Sequence, residues 1–293
     1  MNHRSGYVAI IGQPNVGKST LLNRMVGQKV SITSRRPQTT RQRVIGIVTA
    51  PDAQFVFVDT PGFQTRHGGT LNRIMNRSVT RSIADVDAVL WVVAAPRLDA
   101  SDREVQGLIS AEVPLVVAVN KVDAVGNKNE LLPLLGEIHE LAQPKAIVPV
   151  SARSGLGVDD LLAALREHLP ERERLYGEDE ITTASERMLA AELIREKLFR
   201  SLGEELPYAA IVEIEKFELE GGLRRIHAGI LVDKAGHKGI VIGKGGAKLK
   251  EISTQARMDM EKLFGGKVFL EVWVKVKSGW ADDLGILKRL GIE

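Results

Sequence analysis

The chain has 293 residues, of which 44% are hydrophobic and 26% charged, a composition typical of a soluble globular protein with about two domains. It contains no cysteine, which excludes disulfides, thiolate metal sites and cysteine nucleophiles and fits a reducing compartment. No apolar run approaches the roughly 18 residues of a membrane-spanning helix, and we see no secretory signal pattern, so we expect a cytoplasmic protein.

The net charge of +3 is distributed unevenly along the chain. No carboxylate precedes Asp52, and a second carboxylate-free stretch, Lys234–Lys250, contains five lysines. Both stretches favour phosphate groups as partners, although a solvated basic face would give the same pattern in either one. The basic residues of the first stretch are Arg4, Lys18, Arg24, Lys29, Arg35, Arg36, Arg41 and Arg43.

The first predicted elements enclose a glycine-rich loop. Tyr7–Ile11 is a short apolar, β-branched run that predicts a buried strand, and Ser19–Val26 has the apolar spacing of a helix. The segment between them fits G-x-x-x-x-G-K-[ST], in which glycines and a helix N-terminus present backbone N–H groups to an anion. Lys18 is predicted to reach the β- and γ-phosphates, and the Ser19 hydroxyl to ligate Mg²⁺. The predicted phosphate site comprises Gly12, Gln13, Pro14, Asn15, Val16, Gly17, Lys18, Ser19 and Thr20.

Strand-like apolar runs alternate with helical patterns through residue 169, which predicts an α/β fold with a doubly wound, mainly parallel sheet. Pro170 and a dense charge cluster follow, so we predict a first domain over 1–170, a linker over 171–184 and a second domain over 185–293. The predicted strands are Tyr7–Ile11, Gln42–Val48, Gln54–Val58, Ala88–Val93, Leu115–Val119 and Ala146–Pro149. The predicted helices are Ser19–Val26, Thr70–Ile83, Ser101–Ser110, Asn129–Leu141 and Val158–Leu169.

A D-x-P-G tetrapeptide, Asp59-Thr60-Pro61-Gly62, follows the predicted strand Gln54–Val58. A carboxylate at the end of that strand can hold a water on Mg²⁺, and the Gly62 N–H can contact a γ-phosphate. Most such tetrapeptides are simple turns. This tetrapeptide is a stronger candidate for a binding motif, because it follows a strand and ligands in open α/β sheets bind at the carboxyl ends of the strands.

Two later motifs concern the base, and each follows a predicted strand. Asn120 and Lys121 open an Asn-Lys-x-Asp motif that ends at Asp123, whose carboxylate can accept from N1–H and the exocyclic amine of guanine. Asn120 and Lys121 are predicted to brace the loops around the ring. Ser151 and Ala152 open a Ser-Ala-Arg motif, in which the Ala152 N–H is predicted to donate to guanine O6. Because adenine lacks that donor pair, the set favours GTP over the alternative, an ATPase with the same phosphate loop.

These motifs, in this order, resemble those of the Era-like group of translation-factor-related GTPases. The resemblance implies two switch segments and Mg²⁺-dependent hydrolysis of GTP to GDP, with catalytic roles for Lys18, Thr40, Asp59 and Gly62. It also implies a threonine in the first switch that joins Mg²⁺ only in the GTP state. We choose Thr40, which precedes a basic residue, over Thr39. The predicted Mg²⁺ site then consists of Ser19, Thr40 and Asp59.

Two positions bear on how hydrolysis proceeds. Phe63 stands where Ras-like enzymes carry the glutamine that orients the attacking water, so we expect hydrolysis to be slow, or helped by a partner or a cation. Asn15 resembles the asparagine that binds potassium in several related GTPases, which makes K⁺ a candidate cofactor. The alternative role for Asn15 is that of a turn residue after Pro14.

The second domain contains another glycine loop, which an apolar run at Ile240–Ile242 precedes. The loop and the lysines of the helix after it resemble the GXXG loop of type II KH domains, which clamp about four nucleotides of single-stranded nucleic acid. We expect Trp273 to pack in the core of its strand and Trp280 to cap the C-terminal tail. The predicted elements are helix Ser185–Leu202, strands Tyr208–Leu219 and Arg225–Val232, helix Ala247–Leu263 and strand Val268–Lys277. The predicted RNA contacts are Gly243, Lys244, Gly245, Gly246 and Lys248.

A GTPase domain followed by one type II KH domain resembles the Era-like GTPases over essentially the whole chain. The resemblance implies binding near the 3′ end of 16S ribosomal RNA and a role in assembly of the 30S subunit. We expect a monomer, with a peripheral membrane-associated fraction as a further hypothesis. The alternative function is a GTPase that acts in tRNA modification or at the membrane and uses its second domain for protein contacts.

Overall fold

The computed structural model describes residues 3–34, 39–63, 70–203 and 206–289. The described residues form two units. The first takes residues from 1–31, 40–68 and 72–183, and the second takes residues from 32–39, 69–71 and 184–293. Within the described ranges, no helix is both long and apolar enough to cross a membrane.

The sheet of the first unit has the strand order β2-β3-β1-β4-β5-β6. β2 runs antiparallel to β3, and the other neighbouring pairs are parallel, which confirms the predicted mainly parallel sheet. The strand order reverses at β1, so the crevice for a ligand lies at the carboxyl end of β1. The strands are β1 (Arg4–Ile11), β2 (Val44–Thr49), β3 (Ala53–Asp59), β4 (Ala88–Ala94), β5 (Leu115–Asn120) and β6 (Ala146–Pro149).

Apolar clusters cover both faces of this sheet, because its central strands are apolar on both sides. Along β1, Val8 and Ile10 lie in the cluster that includes α1 and α5, whereas Ala9 and Ile11 lie in the cluster that includes α2, α3 and α4. Successive side chains of a strand point to opposite faces, so one continuous apolar run serves both clusters. The helices are α1 (Lys18–Val26), α2 (Thr70–Ala84), α3 (Ala100–Gln106), α4 (Leu131–Ala142) and α5 (Val158–Arg166).

Helix α3 is shorter than the predicted Ser101–Ser110. Its start is fixed by a capping box, in which the Asp99 side chain accepts from backbone N–H groups of the first turn and Asp102 accepts from the Asp99 N–H. This reciprocal pair satisfies N–H groups that have no partner within the helix.

The predicted linker is hydrogen-bonded to the first unit rather than separate from it. The Arg172 N–H donates to the His3 carbonyl at 3.2 Å. Further along, the fully buried Gln54 of β3 accepts at Oε1 from the N–H groups of Leu175 and Tyr176, at 2.8 and 2.9 Å. Gln54 also donates through Nε2 to the Tyr176 carbonyl at 2.9 Å. The segment from residue 171 to residue 183 therefore belongs to the first unit.

The second unit has the order α-β-β-α-α-β in its continuous part, followed by a short helix. Its sheet order is β7-β8-β9, with β7 and β8 antiparallel and β8 and β9 parallel. The sequence pattern does not predict α7, because Gly236 and Gly239 give its segment low helix propensity. The elements are α6 (Glu186–Ser201), β7 (Ala210–Glu220), β8 (Leu223–Val232), α7 (Ala235–Ile242), α8 (Ala247–Phe264), β9 (Val268–Val276) and α9 (Leu284–Arg289).

The two tryptophans of interest differ in environment. Trp280 is buried and donates through Nε1 to the Ala209 carbonyl at 3.1 Å. Trp273 is only half-buried, and its Nε1 donates to Glu215 at 3.0 Å. The expectation that Trp273 packs in the core is wrong, because Val274 of β9 occupies the core and its neighbour in the strand must face the other side of the sheet.

Candidate functional site

The phosphate loop connects β1 to α1, and Lys18 is the first residue of that helix. The Lys18 side chain is buried, and its Nζ donates to the carbonyls of Gly12 and Gln13 at 2.8 and 2.7 Å. The ammonium group therefore lies inside the loop, where the phosphates of a nucleotide are predicted to bind.

Burial lowers the pKa of the Lys18 ammonium to about 8, and the carboxylates of Asp59 and Asp102 oppose this effect in part. A buried ammonium is costly unless it is paired with negative charge. A bound polyphosphate supplies that charge, so the electrostatics of the loop favour an anionic ligand.

The predicted Mg²⁺ residues meet at one carboxylate. Asp59 Oδ2 accepts from Ser19 Oγ at 2.8 Å and from Thr40 Oγ1 at 3.5 Å, and the two hydroxyl oxygens are 3.0 Å apart. Burial raises the pKa of Asp59 above its ordinary value. The Lys18 ammonium and the hydrogen bonds from the hydroxyls offset this rise only in part. Asp59 Oδ1 is buried and has no hydrogen-bond partner among the described residues. Mg²⁺ prefers oxygen ligands, and the hydroxyl and carboxylate oxygens of these residues are of that kind, so the residues present fit this ion.

The structure separates the two threonines considered for the first switch. The Thr40 hydroxyl lies within the cluster of predicted Mg²⁺ ligands, and its side chain is buried. Thr39 belongs to the second unit. Thr40 is thus the threonine that the fold brings to Ser19 and Asp59.

A serine that no motif contains also contacts this carboxylate. Ser31 Oγ donates to Asp59 Oδ2 at 3.0 Å across 28 positions of sequence. The contact could not be predicted, because Ser31 follows α1 in a segment without a periodic pattern. Its neighbour in space, Asn23, lies in α1, where the sequence pattern predicts a helix but no contact with this segment.

The D-x-P-G residues take different roles in the structure. Gly62 lies against the phosphate loop, since a Cβ added to it would be 2.8 Å from the Pro14 nitrogen. Thr60 is buried, and its hydroxyl donates to the Ile10 carbonyl at 2.9 Å, which anchors the motif to β1. Phe63 packs against the apolar cluster that contains α2 and α4, as expected of a side chain that does not orient water.

Asn120 joins the phosphate loop to both base loops. Its Nδ2 donates to the Val16 carbonyl at 2.8 Å, and its Oδ1 accepts from the Ala152 N–H at 2.9 Å. A Cβ at Gly17 would be 2.3 Å from Asn120 Nδ2, so only glycine fits there. The Ala152 N–H is already engaged by Asn120 and would have to be shared with guanine O6.

Asp123 is presented to solvent on the short 3₁₀ helix Val122–Ala124. In the part of the chain that the structure describes, its carboxylate forms no hydrogen bond or ion pair with another side chain. Lys121, just before it, is also exposed and has a φ of 66°. The carboxylate is therefore available to a ligand that offers paired N–H donors, as predicted for guanine.

Arg24 is a second residue that the motifs did not reveal. From α1 its Nε donates to the Ala152 carbonyl at 3.2 Å, and its Nη2 donates to the Arg153 carbonyl. Because Ser151 and Ala152 belong to the predicted base site, Arg24 holds the loop that carries them.

Asn15 and Gln13 lie at the outer part of the phosphate loop. Asn15 is exposed and has a φ of 66°, a conformation that asparagine adopts more readily than most residues. The backbone alone thus accounts for an asparagine here. Gln13 donates through Nε2 to Asp99 Oδ1 at 2.5 Å, which links the loop to the cap of α3.

The glycine loop of the second unit joins α7 to α8. Gly245 and Gly246 have φ values of 59° and 79°, and an added Cβ at either would meet no atom within 4 Å. Lys244 is exposed, and Lys248 is half-buried in the first turn of α8. The loop is therefore open, basic and next to a helix N-terminus, the properties of a site for a nucleic-acid backbone.

This fold and site define a P-loop GTPase with an appended KH domain. Residues 7–121 match the family model described as 50S ribosome-binding GTPase, and residues 205–281 match the KH domain model. GTPase Era of Chromobacterium violaceum is 56% identical over 288 residues, with 98% of this chain and 97% of that protein covered. GTPase Era of Nitrosomonas eutropha is 53% identical, with 99% and 98% covered. The chain belongs to the Era family of GTPases.

Solved structures agree with this membership. A variant of Aquifex aeolicus Era bound to GDP·AlF₄⁻ superposes with a TM-score of 0.95 at 38% identity and covers 99% of both chains. The same values hold for Era in complex with MgGDPNP and nucleotides 1506–1542 of 16S ribosomal RNA.

Proposed function

We propose that this protein is a GTP-hydrolysing switch that binds 16S ribosomal RNA near its 3′ end and assists assembly of the 30S subunit. One observation supports the switch function: the hydroxyls of Ser19 and Thr40 both donate to the buried carboxylate of Asp59, and they lie close to each other. A residue of the first switch thereby shares a site with the phosphate loop, so a γ-phosphate and its metal can bias the position of the switch.

The residues divide the chemistry among themselves. In this proposal Lys18 and the loop N–H groups bind the phosphates, the Gly62 N–H senses the γ-phosphate, and Asp123 selects guanine. Mg²⁺, when bound, would be held by Ser19, Thr40 and, through water, Asp59, and it would neutralise charge on the phosphate oxygens. The protein's part in hydrolysis is chiefly to position the phosphates and stabilise their charge.

A potassium ion at Asn15 is part of the proposal. Phe63 packs in an apolar cluster and does not orient water, so charge stabilisation must come from elsewhere. Asn15 is exposed at the outer part of the phosphate loop, where its side-chain oxygen can meet a monovalent cation beside the phosphates.

The second unit is the proposed RNA-binding part. Its open, basic glycine loop supports this role, and so does the relative solved with nucleotides 1506–1542 of 16S ribosomal RNA. Because 16S RNA is the RNA of the 30S subunit, that subunit is the proposed partner. Such a partner also implies a cytoplasmic location, with any membrane-associated fraction reversible and peripheral.

The experiment is a binding competition with the full chain. A labelled single-stranded RNA that carries the 3′ end of 16S ribosomal RNA is bound in the presence of GDP or a non-hydrolysable GTP analogue. Unlabelled tRNA and anionic lipid vesicles then compete. Resistance to both competitors supports the proposal. Efficient competition by tRNA or vesicles would favour the alternative functions in tRNA modification or at a membrane.

A further inference from the structure

Ser31 contacts Asp59 although it belongs to none of the nucleotide motifs. Its hydroxyl donates to Asp59 Oδ2 at 3.0 Å, and both side chains are buried. A hydrogen bond to a buried carboxylate is stronger than one between neutral groups, so its loss should be measurable.

The position of Ser31 is set by helix α1. Asn23 Oδ1 accepts from the N–H groups of Val30 and Ser31, each at 2.9 Å, and Asn23 Nδ2 donates to the Ser31 carbonyl at 2.7 Å. These bonds fix the backbone that carries the Ser31 hydroxyl. Since α1 begins at Lys18, the same helix that starts at the phosphate loop also places this hydroxyl.

The oxygens of Asp59 have unequal surroundings. Oδ2 accepts from the hydroxyls of Ser19, Ser31 and Thr40, whereas Oδ1 is buried without a hydrogen-bond partner in the described part of the chain. Ser19 and Thr40 are predicted metal ligands. Ser31 lies outside that set, so its hydroxyl can serve Asp59 alone.

We infer that Ser31 is a positioning residue for Mg²⁺: its hydroxyl fixes Oδ2 of Asp59 and leaves Oδ1 for a metal-bound water. The inference rests on the proposed function, because it requires that the site bind Mg²⁺ with a guanine nucleotide. Asn23 acts one step further away, by holding Ser31 in place.

The test is the release rate of a fluorescent GDP analogue from the full chain at increasing Mg²⁺ concentration. Ser31→Ala should raise the Mg²⁺ concentration for half-maximal retention about tenfold, which corresponds to about 1.4 kcal/mol. Release in excess chelator should stay as in the parent. A merely structural role would instead speed release by the same factor at every Mg²⁺ concentration.

Companion variants make the result specific. Ser31→Thr keeps the hydroxyl and should restore the parental midpoint, and Ser31→Cys keeps the size but only a weak donor, so its midpoint should lie between. Ser110→Ala is the matched control, since Ser110 is exposed and its hydroxyl accepts from the Glu112 N–H in the loop after α3.

The outcomes separate the inference from the proposed function. A parental Mg²⁺ midpoint in Ser31→Ala would overturn the inference. If circular dichroism shows that Ser31→Ala does not fold, Ser31→Cys decides, and a parental midpoint there overturns it equally. If the parent itself releases the GDP analogue regardless of Mg²⁺, the proposed function fails instead.

Discussion

Asn120 Nδ2 donates to the carbonyl oxygen of Val16 at 2.8 Å, so a residue of the Asn-Lys-x-Asp motif is hydrogen-bonded to the phosphate loop. The same side chain accepts the Ala152 N–H. The proposed base site and the proposed phosphate site therefore share one buried amide, so a shift of either loop would disturb a hydrogen bond to the other.

Asn120→Ala should weaken GDP and GTP binding together. The change leaves the Val16 carbonyl and the Ala152 N–H without their partner, and each buried unsatisfied group costs about 1–3 kcal/mol. We expect affinity to fall roughly thirtyfold, or about 2 kcal/mol, in calorimetric titration. Asn129→Ala, at an exposed asparagine before α4, is the control and should bind as the parent does. An equally small effect of both changes would contradict the role of Asn120.

Asp123→Asn should change which base is preferred. The carboxylate is predicted to accept from two guanine donors, and xanthine replaces one of them with an acceptor. GTP affinity should fall about a hundredfold, and xanthosine triphosphate should gain relative to it. Asp160→Asn, at the exposed start of α5, should leave both affinities unchanged. Unaltered GTP affinity in Asp123→Asn would refute the guanine assignment.

Arg24→Met should loosen the loop that carries Ser151 and Ala152. The variant loses the bonds to the carbonyls of Ala152 and Arg153 but keeps the length of the side chain. We expect GDP to dissociate about fivefold faster, in line with the loss of about 1 kcal/mol. Stopped-flow displacement of a fluorescent analogue measures this. Arg103→Met removes an exposed ion pair with Glu137 instead and should have no effect. Parental release rates in both variants would show that the hydrogen bonds of Arg24 do not affect nucleotide retention.

Potassium should accelerate hydrolysis if Asn15 binds it. Replacing K⁺ with Na⁺ at constant ionic strength should slow turnover several-fold, and Asn15→Ala should remove the difference between the two salts. Phosphate release under single-turnover conditions is the measurement. Equal parental rates in both salts would reject the cation site and leave the rest of the nucleotide site intact.

The double variant Lys244→Asp, Gly245→Asp should lose RNA binding while it keeps GTP binding. It places carboxylates and an added side chain where a phosphate backbone is proposed to approach. Filter binding at two salt concentrations should show weaker binding with a flatter salt dependence, because fewer counterions are released. Lys262→Asp, near the far end of α8, is the control. RNA binding equal to that of the parent would favour a protein-contact role for the second unit.

The sequence predicted those features that depend on local pattern. The strands β1 and β3 to β6, and the motifs that follow β1, β3, β5 and β6, could be located because apolar runs and motif residues are contiguous in sequence. Helix α7 could not be predicted, because its glycines have low helix propensity and the helix depends on tertiary packing. Ser31 and Arg24 were missed for another reason. Their partners lie 28 and 128 positions away, and nothing local marks such contacts.

The buried amide of Gln54 has a practical consequence for the design of fragments. Its partners, Leu175 and Tyr176, lie beyond the composition change at residue 170. A fragment that stops at 170 would retain a polar side chain inside β3 with those bonds removed, at a cost of about 1–3 kcal/mol for each unsatisfied group. A nucleotide-binding fragment suited to crystallisation or NMR should therefore extend to residue 183.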